Sequence, residues 1–73
     1  MENHPNSQSP LSIREIEIVK LLATGKTTKE IADELYLSED TVKTHRKNIH
    51  HKANCSNSVE LINYCRANNI ITF

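Results

Sequence analysis

The chain predicts an all-α fold, a four-helix bundle with helices over about 12–24, 28–35, 39–53 and 58–68. Three observations predict it. Residues suited to capping recur immediately before apolar runs of helical period. β-Branched residues do not alternate with polar ones, as a half-buried strand would require. One glycine and two prolines in 73 residues leave few interruptions. Hydrophobic content of 37% is low but sufficient for a small bundle, and so small a core suits a partner surface or a larger parent chain.

Met1 to Pro10 is polar, holds both prolines and shows no periodicity, so it reads as a disordered leader or the remnant of a linker. The remaining residues, 11–73, read as one domain. In the first helix Ser12 and Glu15 have capping-box spacing, Ile16, Ile18, Val19, Leu22 and Ala23 collect on one face, and Gly25 is the stop. Thr27 and Glu30 repeat the box for the second helix. Ser38 caps the third, with Glu39 and Asp40 placing negative charge at its positive end. Asn54 suits the left-handed position that ends it. Asn57 caps the fourth helix with Glu60 three residues on, and Asn68-Asn69 ends it. Val59, Leu61, Ile62, Tyr64 and Cys65 cover more than half of that helix, enough for one stripe on the bundle and one on a subunit interface. Ile70 to Phe73 reads as an apolar tail folded back on the core.

The third helix carries the chemistry. After Asp40 no acid occurs until Glu60, while Lys43, Arg46, Lys47 and Lys52 accumulate with His45, His50 and His51. At about 100° per residue, Val42, Ile49 and Ala53 fall on one side. Lys43, Thr44, Arg46, Lys47, His50 and His51 are placed on the other. An apolar face backed by a cationic, hydrogen-bonding one suits the major groove of DNA. The short second helix and tight turn before it complete a helix-turn-helix, with Ala32 small enough for a close crossing.

Net charge is zero, which by itself argues against nucleic acid. Its distribution does not. Residues 1–35 carry a balance of −2, residues 36–73 carry +2, and residues 41–53 alone carry +4. Such a domain binds DNA through one stripe, with modest and strongly salt-dependent non-specific affinity.

These residues resemble a known family. Leu11-Ser12-x-Arg14-Glu15, Gly25, Glu30-Ile31-Ala32, Leu37-Ser38-x-x-Thr41-Val42-Lys43-x-His45 and Ile49-x-x-Lys52 match the LuxR/GerE-type DNA-binding domain in order and without gaps over roughly 10–71. The resemblance implies double-stranded DNA binding and transcription regulation, as the output domain of a response regulator or ligand-sensing regulator. It implies base contacts from Lys43, Thr44 and Lys47. Thr27, Ser38, Thr41, His45, Arg46, Asn48, His51 and Lys52 read as phosphate contacts, since cations, hydroxyls and helix starts fix register on the backbone. Val59, Ile62 and Cys65 are the expected dimer interface on DNA, and RNA polymerase is a candidate partner. The chain departs from the family at Ala53-Asn54, where Leu-Gly is usual, at Ser58, where arginine is usual, and at Asn69, where glycine is usual.

Other chemistries fit less well. Glu15 is a lone acid among apolar neighbours, but Ser12 accounts for it and no nucleophile partners it, so no enzyme is expected. Adjacent histidines diverge by about 100° on a helix and there is no Cys-x-x-Cys, so neither metal nor cofactor is expected. Two cysteines, Cys55 and Cys65, do not make a secreted disulfide scaffold, and no signal or membrane span is seen; the expectation is a cytoplasmic protein. A sigma-factor promoter-binding region and a protein-interaction module built on the fourth helix remain open as alternatives.

Overall fold

Each helix begins where a side-chain oxygen can take over a free backbone N–H. The computed structural model describes residues 10–71. It contains α1 (Ile13–Ala23), α2 (Thr28–Leu35), α3 (Glu39–Ala53) and α4 (Ser58–Ala67). Glu15 N donates to Ser12 Oγ at 3.2 Å and Ser12 N to Glu15 Oε1 at 2.8 Å, a closed capping box. Thr27 and Glu30 close the second, at 3.2 and 2.9 Å. Thr41 N donates to Ser38 Oγ at 3.0 Å, and Glu60 N to Asn57 Oδ1 at 2.9 Å. Caps of this kind contribute about 1 kcal/mol each. The Glu60 carboxylate takes its N–H from Ser56, at 2.8 Å, one residue before the cap.

The helix ends are as regular. Each is followed by one residue of positive φ: Gly25 (φ 91), Tyr36 (φ 58), Asn54 (φ 56) and Asn69 (φ 57). The next N–H then reaches back five residues, from Lys26 to Leu21, Leu37 to Ala32, Cys55 to His50 and Ile70 to Cys65, at 2.8–3.2 Å. These are Schellman closures, which satisfy carbonyls that the helix itself leaves free. α1 is one residue shorter at each end than expected, because Ser12 and Thr24 serve as caps; α4 stops at Ala67 because Asn68 is its cap.

α1 and α3 each pack against all three other helices, whereas α2 and α4 have little direct contact. The core is drawn from every helix: Ile16, Ile18 and Val19, Ile31 and Ala32, Val42, Ile49 and Ala53, and Leu61 and Cys65. Leu11 and Ile71 close it from either end of the described chain. Ile71 is buried and Ile70 half-buried, so the tail returns to the core that far. The expected leader, Pro10 apart, and the last two residues of the tail lie outside the described residues.

The expected interface set changes at one position. Cys65 has no exposed surface and sits in the core with Leu61, so it offers nothing to a second subunit. Val59 is 69% exposed and Ile62 half-buried. A helix of ten residues must bury one stripe first, and Cys65, four residues past Leu61, lies on it.

Candidate nucleic-acid interface

The scaffold-facing side of α3 is Val42, Ile49 and Ala53, all buried. With that stripe fixed against the other helices, the opposite side is presented outward. Lys43, Thr44, Lys47, Asn48 and His51 are all exposed on it. Lys43 and Lys47 take part in no ion pair among the described residues. Arg14, Lys26 and Lys29 are paired with Glu17, Glu34 and Asp33 at 3.4–3.8 Å. Unspent positive charge is therefore available on α3. Beside it Asp40, Thr41, Thr44, His45 and Asn48 line a shallow open groove of about 290 Å³. The start of α3 is held in shape by Ser38, whose Oγ accepts from Thr41 N and donates to Thr41 Oγ1 at 2.8 Å.

Three expected side chains are placed differently from the outward stripe. Arg46 is half-buried on the scaffold side, and its guanidinium donates to Thr28 Oγ1 at 2.6 Å and to Ser58 Oγ at 3.0 Å. Four residues past Val42 is about 40° around a helix, at the edge of the apolar face, so Arg46 parts from the lysines with which the sequence grouped it. His50 is half-buried as well, with Nδ1 at 2.7 Å from the Arg46 carbonyl. Lys52 reaches back to α1, where its Nζ donates to both Glu15 carboxylate oxygens at 3.0 Å. His45 is half-buried at the border, as its position on the wheel requires.

Glu15 is thus more than a cap. It is 5% exposed, and burial alone would raise its pKa; the Ser12 N–H and the Lys52 ammonium outweigh that and hold it below its ordinary value. The Lys52 partnership spans 37 positions and leaves no pattern in the sequence. Burial pushes both cysteine thiols up.

A short helix, a turn and a second helix with a free cationic face form a helix-turn-helix of the DNA-reading kind. A family profile described as bacterial regulatory proteins, luxR family (GerE), matches residues 9–65. The chain belongs to the LuxR family. Among LuxR-type relatives, it is 51% identical over 57 residues to the uncharacterized response regulatory protein YgeK of Escherichia coli K12, covering 78% of the chain and 39% of that protein. It is 42% identical over 62 residues to the virulence factors putative positive transcription regulator BvgA of Bordetella pertussis, covering 85% of the chain and 30% of BvgA. The crystal structure of the response regulator ChrA, from a heme-sensing two-component system, superposes with a TM-score of 0.80 at 39% identity, over 84% of the chain and 30% of ChrA. The chain spans well under half the length of these proteins. Its four helices are a DNA-binding domain of transcription regulators of the LuxR family. No helix among the described residues is long and apolar enough to cross a membrane.

Proposed function

We propose that α3 enters the major groove of a specific operator and that Lys43, Thr44 and Lys47 meet the base edges there. The observation that carries this reading is the charge left over on α3: Lys43 and Lys47 are exposed and in no ion pair among the described residues, on a helix braced along its other side. A groove about 12 Å wide accepts such a helix. Lysine donors suit guanine O6 and N7, and the Thr44 methyl suits thymine. Thr27, Ser38, Thr41, His45, Asn48 and His51 flank that surface as phosphate contacts that set register, while Lys52 is engaged by Glu15. Two copies assemble on DNA through α4, using Val59 and Ile62, and place their α3 helices about one DNA turn or a multiple apart. In the whole protein this is the output module of a response regulator in a two-component system, as the similarity to YgeK and ChrA suggests. It acts in the cytoplasm by binding, without catalysis, and its further partner is RNA polymerase.

Selection of bound sequences from a random duplex pool tests the reading. One recurrent motif is expected. Lys43→Ala and Lys47→Ala should each cost about 1–3 kcal/mol at that motif and flatten the preference at one base position. Unchanged preference in both variants would remove these residues from the reading surface.

A further inference from the structure

Arg46 sits half-buried at the edge of the buried stripe of α3, one turn on from Val42 and beside a face made of Val42, Ile49 and Ala53. It makes no ion pair among the described residues, and its acceptors are two neutral hydroxyls, Thr28 Oγ1 at 2.6 Å and Ser58 Oγ at 3.0 Å. A half-buried cation without a carboxylate is a poor choice for stability alone. Its geometry explains what it does instead. Thr28 is the first residue of α2 and Ser58 the first of α4, two helices with little direct contact. The guanidinium fork ties both to α3 at a single point. On the same helix Lys43 and Lys47 lie three residues before and one residue after it. Thr27, beside Thr28, is the proposed phosphate anchor of α2.

We propose that Arg46 is a positioning residue: its fork fixes the roll of α3 relative to α2 and α4, and so the register of Lys43, Thr44 and Lys47 on the bases. The inference rests on the DNA-binding reading above, and it gives Arg46 a different part from a phosphate contact. A rigid planar fork can hold two acceptors at once; a lysine ammonium on a flexible stem cannot reproduce that. A roll of α3 shifts base contacts while leaving the count of phosphate charges unchanged. Sequence discrimination and salt dependence therefore separate the two roles.

The test compares the parent with Thr28→Val/Ser58→Ala, which removes the acceptors and keeps the cation, and with Arg46→Lys, which keeps the charge and removes the fork. Binding to the selected duplex and to a scrambled one is measured across salt concentrations. Residual dipolar couplings report the orientation of α3 in the free protein. Both variants are expected to lose about tenfold in discrimination, about one base contact's worth, with an unchanged salt slope and a turned α3. The single variants Thr28→Val and Ser58→Ala should each give part of that loss, so the test stands even where the double variant fails to fold. Full discrimination in the folded variants overturns the proposal. So does Arg46→Gln that lowers the salt slope by about one unit and leaves discrimination intact, since that is the mark of a phosphate contact. If the parent selects no duplex, the DNA reading fails by itself, and the couplings alone decide whether the fork orients α3; unchanged couplings overturn it.

Discussion

Glu15, Lys52 and Ser12 form one network across the first turn of α1 and the last turn of α3. Burial works against the Glu15 carboxylate, and the Ser12 N–H and Lys52 Nζ hold it charged below its ordinary value. A depressed carboxylate contributes stability that is fully present above its unfolded value and lost as pH falls through the folded one. Lys52→Met should therefore cost about 1–2 kcal/mol at neutral pH, a figure reduced because the lysine side chain is 43% exposed. The penalty should shrink as Glu15 is protonated, since a neutral carboxyl no longer needs the cation. Urea midpoints of parent and variant from about pH 7 down to about pH 3 would show the two curves converging at the acid end. A penalty that stays constant across that range would place the loss in packing of the lysine stem. The capping half of this network was legible from Ser12 and Glu15 three residues apart. The Lys52 half was not, because side chains 37 positions apart meet only when α1 and α3 have packed.

At the scale of the element, each helix is bounded by a side-chain cap and a left-handed residue. Three of the four endings were readable, since Gly25, Asn54 and Asn69 are residue types that tolerate positive φ. Tyr36 is not such a type. It adopts φ 58 because the turn between α2 and α3 needs a left-handed residue there, and Leu37 must turn back to bond Ala32. The residue is 95% exposed, so little packing compensates. Tyr36→Gly should accordingly raise stability by about 1 kcal/mol, read as a higher denaturant midpoint at an unchanged slope. A lower midpoint would mean that the added freedom of the unfolded chain outweighs the relief of the left-handed strain. Element boundaries moved by single residues at α1 and α4 because a cap lies outside the helix it starts or ends.

At the scale of the whole molecule, a chain of zero net charge presents an asymmetric surface. Cations on α1, on α2 and in the turn between them are partly spent in ion pairs, while Lys43 and Lys47 on the outward side of α3 have none among the described residues. Among the large apolar side chains Ile13, Tyr36 and Val59 are outward, and Val59, 69% exposed, is the one on α4. Val59→Asp should fold like the parent, because that side chain contributes little to the core. It should lose cooperative occupancy of paired half-sites and keep single-site binding, since an interface that buries an unpaired charge is strongly disfavoured. Gel-shift titrations on one and two half-sites distinguish these; a folded variant that binds paired sites as cooperatively as the parent takes α4 out of the interface.

The sequence by itself determined four helices, their caps, most of their endings, the buried stripe of α3 and the outward position of Lys43, Thr44 and Lys47. All of these follow from spacing within about one or two helical turns, where chemistry and periodicity act locally. Only the tertiary structure decided what Arg46, Lys52 and Cys65 do. Arg46 spans α2 and α4, Lys52 reaches Glu15, and Cys65 is sealed in the core. Each lies near the edge of a face or on a wide apolar arc, where the helical wheel leaves two readings. The choice is made by whichever neighbouring helix supplies an acceptor or covers the surface, and that neighbour is remote in the chain.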